Sequence, residues 1–259
     1  MPAPIAPSHR ASSDRAPSDR VPTDPTTLTC AACGFDASRW STDDIARTLA
    51  HTDDLFRHAL ADAPPDVRDA VSNRSVPDAD PVVAAHRLMH DLHDLAERRA
   101  ATETFETMIG NVDSIQVAAG LPKTPVAEAK VGVGGLDGDR QTSRHHHGRP
   151  WQAVCLYSAD LIGQLHAEGH PIAAGSAGEN ITVRGIDWTR MRGGLTIEIG
   201  DVRMLTSSPA APCHKIGDNF TARDWLRIGH DERPGWSRWY ASVLAGGTIR
   251  PGDRVAVRS

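Results

Sequence analysis

The sequence predicts a two-part α+β chain: an N-terminal α-helical segment followed by a β-rich domain. Three observations predict it. Up to about residue 105, apolar residues recur at helical spacing. Beyond about residue 110, short runs rich in Val, Ile and Leu alternate with glycine-rich turns, which is a strand pattern. A length of 259 residues suits one large domain or two modest ones. The boundary is expected near 106–111.

Residues 1–27 are rich in Pro, Ser, Asp and Arg and almost free of large apolar side chains. Such a stretch cannot bury enough surface to offset ordering entropy, so a disordered tail is expected. The helical segment then covers 28–106. It opens on the knuckle Cys30-Ala31-Ala32-Cys33-Gly34-Phe35-Asp36, a turn able to hold half of a zinc site. A helix is expected over 41–61, capped by Ser41, with Asp43 and Asp44 in its first turn and Ile45, Leu49, Phe56 and Leu60 on one face. Pro64-Pro65 ends it, and a short helix can follow at 66–72. A second long helix, about 82–104, starts at Pro81. Its apolar stripe is Ala85, Leu88, Met89, Leu92, Leu95 and Ala96.

In the second half, strands are expected at 112–119, 126–131, 151–157, 180–184, 195–199, 201–207 and 253–257, and a helix over 158–169. The segments 221–229 and 236–246 read as short helices, and Gly200-Asp201 as a hairpin turn. Trp40, Trp225, Trp236, Trp239 and Tyr240 read as packing residues, because aromatics bury large areas.

The totals exclude some classes. A net charge of −5 gives no reason to expect nucleic acid as a partner. No run approaches the roughly 18 apolar residues of a membrane helix. Met1 to Pro25 lacks the apolar core of a signal peptide, so a cytoplasmic protein is expected. There Cys30, Cys33, Cys155 and Cys213 would stay reduced, available to bind metal or react.

Three polar clusters are hard to explain by packing. They are Gly138-Asp139-Arg140-Gln141 with His145-His146-His147-Gly148, then Gly178-Glu179-Asn180-Ile181-Thr182, then Ser208-Pro209-Ala210-Ala211-Pro212-Cys213-His214-Lys215. Pro212 biases Ala211 towards extended structure, which sets Cys213 in a defined loop. His214 and Lys215 would favour its thiolate, a nucleophile and a ligand for a soft metal. The competing reading is a small buried hydrophobe.

A separate constellation lies on the second long helix. His86, His90, His93 and Glu97 fall within a sector of about 60° bordering the apolar stripe. Histidines at i and i+4 can share one metal. His51, at the edge of the first long helix, can supply a third ligand.

From about residue 112 to 258 the chain resembles the MOSC domain, the β-rich domain also found at the C-terminus of molybdenum cofactor sulfurases. The resemblance rests on Gly138-Asp139-Arg140, on His147-Gly148 with Ala153-Val154 and Tyr157, and on Gly178 to Thr182. It continues through Ile199-Gly200-Asp201, Pro212 to Lys215 and Gly252-Asp253-Arg254-Val255. Within the family it looks most like stand-alone bacterial members that reduce N-hydroxylated bases.

The resemblance implies a β-barrel over 111–259 and a pocket for the pterin-based molybdenum cofactor, with Cys213 as sulfur ligand to molybdenum or as sulfur carrier. The cofactor's phosphate needs cationic and amide groups, for which Arg140, His147, Asn180, Thr182 and Lys215 are the candidates. The implied activity is reduction of an N-hydroxylated small molecule, or sulfur transfer. Electrons would come from a separate donor protein, because Gly132-Val133-Gly134-Gly135 lacks a dinucleotide fingerprint. In the sulfur-transfer version a partner would deliver the sulfur, since 259 residues hold no pyridoxal-phosphate desulfurase domain and pyridoxal phosphate enters only at the level of the family. The chain departs from the family at Pro209-Ala210-Ala211, where Pro-Arg is common, so a cation facing the cofactor is missing there.

The N-terminal half resembles a DinB-like helical bundle, whose metal triad is matched by His51, His86 and His90. The segment is short for a full bundle, so the barrel or a second copy of the chain would cover the helices. That resemblance implies the alternative function, a protein dependent on zinc or another divalent metal, or on a thiol, acting as a binding protein or transferase.

Overall fold

The computed structural model describes residues 30, 33, 35 and 37, and residues 81–140 and 149–259. The tail at 1–27, the helices expected at 41–61 and 66–72, Trp40, His51 and His145 to Gly148 lie outside the described residues. Within them, a helical region precedes a closed β-barrel.

Helix α1 (Pro81–Thr102) forms where the apolar stripe predicted it. Ala85, Met89, Leu92, Leu95 and Ala96 are buried, and Leu88 packs beside them. They meet Trp151 and Leu205 of the barrel, together with Cys33, Phe35 and Ala37. The barrel thus supplies the surface that α1 needs. Fully buried Arg99 donates to the Gly193 carbonyl at 3.4 Å and lies 4.0 Å from Glu103, fixing the end of the helix.

Eleven strands follow: β1 (Met108–Val117), β2 (Thr124–Val126), β3 (Ala129–Gly132), β4 (Gly135–Leu136), β5 (Val154–Ser158), β6 (Ile181–Arg184), β7 (Thr196–Ile199), β8 (Val202–Ala210), β9 (Arg238–Ala245), β10 (Gly247–Ile249) and β11 (Arg254–Arg258). Eight form one sheet in the order β11-β7-β8-β9-β5-β6-β1-β2, and a further β1–β11 pairing closes it. Strand β2 extends the ring alongside the far half of β1, at Ile115 to Val117. The small sheet β10-β3-β4 stands apart. Pairing inside the ring is antiparallel except between β5 and β6. Helix α2 (Ala159–Ala167) makes that parallel crossover, and Ser158 caps it by accepting a hydrogen bond from the Leu161 N–H.

Strand alternation fills the barrel. Met108, Gly110 and Val112 point inward on β1, with exposed residues between them. The interior is closed by Ile115, Leu156, Ile181, Ile197, Met204, Trp239 and Val257. Gly200-Asp201 joins β7 to β8 as expected, and Gly132 to Gly135 turn β3 into β4.

Of the two short helices expected near the C-terminus, one is a strand and the other is broken into short 3₁₀ pieces. Residues 238–245 form β9, paired on both sides by β5 and β8. A short apolar run carries no period that separates a buried strand from a buried helix, and the sheet decided it. Residues 221–229 form two 3₁₀ turns, Thr221–Arg223 and Trp225–Ile228, interrupted where Ala222 and Arg223 take positive φ. The strand expected at 126–131 is split into β2 and β3, and β1 begins before the expected 112, at Met108. Trp239 and the partly buried Trp225 and Trp236 do pack against the core, with Arg227 and Arg233 stacked on Trp236 at 4.3 and 3.4 Å.

Candidate functional site

The bend that presents Cys213 starts inside β8. Thr206 pairs with Ala241 and Pro209 with Trp239, so β8 carries one more residue than its partner. That is a β-bulge, which twists the strand and re-aims the residues beyond it. The Ser207 hydroxyl donates to the Trp151 carbonyl and pins it. Past Ala210 the chain leaves the sheet. Cys213, half-buried and extended at φ −140° and ψ 169°, precedes the 3₁₀ turn His214–Asn219 and accepts from the Ile216 N–H at 3.1 Å.

Cys213 forms one wall of a pocket whose lining includes Arg140, Asn180, Lys215, Lys123, Arg238 and Tyr240. The sequence pointed to the first three. Arg140 is placed by its N–H, which donates to Ala118 at 2.9 Å, and by its neighbour Asp139. Asp139 accepts from the Ala118 N–H at 3.1 Å and from Lys123 Nζ at 2.9 Å. Lys215 stands exposed at the rim. Asn180 is on the wall, but its amide serves the scaffold: it accepts from the Cys155 N–H at 3.1 Å and donates to Gln116 at 3.5 Å. Thr182 lies behind the wall, buried, with its hydroxyl 3.4 Å from both Gln116 and Glu179. His147 lies outside the described residues.

Arg238, Lys123, Tyr240 and Cys155 were not singled out for this site. Arg238 matters most. It rises from β9 opposite Ala210, is buried, and donates to the carbonyls of Ala177, Ala210 and Ala211. Its Nε is buried with no partner among the described residues. A buried cation from another strand thus lies against the Ala210 and Ala211 backbone. Gly178 leaves the approach open: at φ +91°, an added Cβ would lie 3.0 Å from Leu121 and 3.8 Å from the Arg238 guanidinium. A period-2 reading of 238–245 would have found the site, since it puts Arg238 and Tyr240 on one face.

Burial sorts the two sulfurs. It pushes the Cys155 thiol up to about 11, against the pull of Arg238 and Lys123, so Cys155 stays protonated at neutral pH. Cys213 is the sulfur with access to solvent. Around Arg238, burial works against the charge, but Cys155, Tyr240 and Glu179 hold the guanidinium above its ordinary value.

Glu179 is fully buried near this cation. One carboxyl oxygen accepts from the Gly175 N–H at 2.6 Å, and the other has no partner among the described residues. Burial raises its pKa, opposed by the Gly175 N–H, then by Arg238 and Lys123. A carboxyl whose pKa is raised on folding binds more protons in the native state, so stability falls as pH climbs above the ordinary carboxylate value. Glu179→Gln keeps the acceptor for Gly175 and removes that titration. The variant is expected to melt higher than wild type at pH 8, and the gap should close towards pH 4, as read by thermal denaturation across pH.

In the N-terminal region, His86 and His90 lie one turn apart on α1, ring centroids 4.6 Å from each other. His51, their expected partner, is outside the described residues. Cys30 and Cys33 come to the same place: Cys30 Sγ is 3.1 Å from His90 Nε2.

The family model of the MOSC domain matches residues 143–256. The chain is 26% identical over 150 residues to "Uncharacterized protein YflK" of Bacillus subtilis (strain 168), a match covering 57% of this chain and 66% of that protein. It is 26% identical over 119 residues to "Protein YiiM" of Escherichia coli (strain K12), covering 44% and 52%. The matched part thus spans less than two thirds of either relative. Of solved structures, YiiM from Escherichia coli aligns at 23% identity and TM-score 0.46, over 59% of this chain and 70% of that one. The YUAD protein of Bacillus subtilis aligns at 17% identity and TM-score 0.48, over 60% and 99%. Among the described residues, no helix is long and apolar enough to cross a membrane.

Proposed function

The chain is a MOSC-domain protein, and from that premise we propose that its pocket binds the molybdenum cofactor through Cys213 and reduces an N-hydroxylated small molecule. One observation carries the reading: a solvent-reaching thiol lines the same pocket as a buried guanidinium whose Nε has no partner among the described residues. A buried orphan donor is costly unless a ligand meets it. An anionic group bearing a soft metal suits this lining, with sulfur for the metal and the Arg238 guanidinium charge for phosphate. The donor set therefore fits the cofactor.

In this reading Cys213 Sγ is the metal's protein ligand, and Arg238, Arg140 and Lys123 receive the anionic tail. Asn180 holds the wall in register by bridging β5 to β1. Lys215 at the rim meets the substrate. When bound, the cofactor supplies two-electron chemistry that the side chains lack. The net reaction takes R–NHOH, two electrons and two protons to R–NH₂ and water, the electrons coming from a separate donor protein. The same thiol can instead carry sulfur as a persulfide, loaded by a sulfur donor protein.

The test compares protein made in a host that synthesises the cofactor with protein from a host that does not. About one molybdenum per chain is expected only from the first, with reduction of a hydroxylamine-type base when a chemical reductant supplies electrons. Molybdenum absent from both, with labelled persulfide sulfur on Cys213, would replace reduction by sulfur carriage. Neither signal would return the active centre to the divalent-metal reading at His51, His86 and His90.

A further inference from the structure

We propose that Cys30, Cys33, His86 and His90 form a closed four-ligand site for zinc, independent of the barrel pocket. One ligand atom from each of these residues lies within 4.8 Å of every other. Zn–S bonds of about 2.3 Å and Zn–N bonds of about 2.0 Å at tetrahedral angles hold ligand atoms roughly 3.3–3.8 Å apart. The Cys30–His90 contact of 3.1 Å is already near that range. A C-x2-C turn and an H-x3-H pair on a helix each offer two ligands to one side, and here the two halves face one another.

The chemistry of the set favours zinc over a hard cation. Two sulfurs and two imidazoles are soft to borderline donors, without a carboxylate among them. With both cysteines as thiolates and both histidines neutral, Zn²⁺ makes a site of zero net charge, the form that costs least to bury. Cys33 is fully buried, and His86 Nε2 is buried with no hydrogen-bond partner among the described residues. A metal ion supplies the partner that this nitrogen lacks. Four protein ligands also leave no position for substrate, which marks the site as structural.

The zinc would act as a clasp. Phe35 of the knuckle has its ring 5.6 Å from that of His86, tilted against it, and the knuckle residues share the apolar cluster that seats α1 on Trp151 and Leu205. The metal would tie a segment with a small core of its own to a helix already docked on the barrel. It differs from a histidine triad in that His86 and His90 are completed by sulfur.

The test uses the full chain, free of any histidine tag and purified without chelator. Elemental analysis should find about one zinc per chain, kept in Cys213→Ala and lost in Cys30→Ser and in His86→Ala. Because those variants can lose zinc by misfolding, Co²⁺ substitution of the wild type is the second measurement. A thiolate-to-cobalt charge-transfer band in the near ultraviolet, with intense tetrahedral d–d bands, would support the site. The proposal is overturned by a reduced wild-type chain that neither carries nor takes up zinc, by zinc retained in both variants, or by weak octahedral cobalt bands without charge transfer.

Discussion

Cys213→Ala is expected to strip molybdenum from the protein while leaving it folded. The side chain is half-buried on a loop outside the sheet, so its removal takes away little packing. A cost below about 1 kcal/mol is expected, which moves the melting temperature by only a few degrees. The functional loss is of another order. In the proposed reading the metal would then have no soft donor in the pocket, because Cys155 is buried and its thiol is pushed up to about 11. Reduction should fall on the order of 10³-fold, beyond the 10–100-fold usual when only an outer partner of a metal ligand is removed. Molybdenum analysis and the melting curve, made on the same sample, check both halves. Full molybdenum in a folded Cys213→Ala protein would remove Cys213 from the metal.

The second large effect belongs to Arg238, and it is expected in both stability and binding. Arg238→Met keeps much of the volume and deletes the buried charge. The carbonyls of Ala177, Ala210 and Ala211 lose their donor, and Glu179 loses a cation that offsets its burial. Breaking such an arrangement typically costs about 3–5 kcal/mol, which for a domain of this size is roughly a 10 °C drop in melting temperature. Affinity for a phosphate-bearing ligand should fall at least about tenfold with loss of a charge-assisted fork. Combining the change with Glu179→Gln should recover part of the stability and none of the affinity, because the double variant no longer buries a carboxylate beside a missing cation. Calorimetry of the single and double variants reads the coupling. A fully additive cycle would separate Arg238 from Glu179.

Much of this was legible in the sequence, for physical reasons that differ by element. Helix α1 declared itself because its stripe, Ala85 to Ala96, runs for about three turns and only one period fits it. The β7–β8 hairpin declared itself through Gly200, which takes positive φ at the turn. Cys213, Arg140 and Lys215 stood out as polar clusters and do meet at one pocket. Arg238 did not, because the strand that carries it is buried on both faces and its run reads as a helix just as well. Its role depends on β9 lying beside β8, so that Ala210 faces Arg238, a pairing set by tertiary structure alone. The metal cluster was half visible: each pair of ligands has a recognisable spacing, but nothing in the chain between Cys33 and His86 says that they converge.

The barrel closes by pairing its first strand with its last, Met108 opposite Val257. During synthesis β1 leaves the ribosome long before its partner exists. At about 5–20 residues per second the wait is on the order of ten seconds. Through that interval the edge that β11 will cover carries open N–H and C=O groups, a template on which another nascent chain can pair. Helix α1 emerges just ahead of β1, but Trp151 and Leu205, which will seat it, come later. The cell therefore meets this protein first as an unfinished ring, with that edge open until β11 has been made.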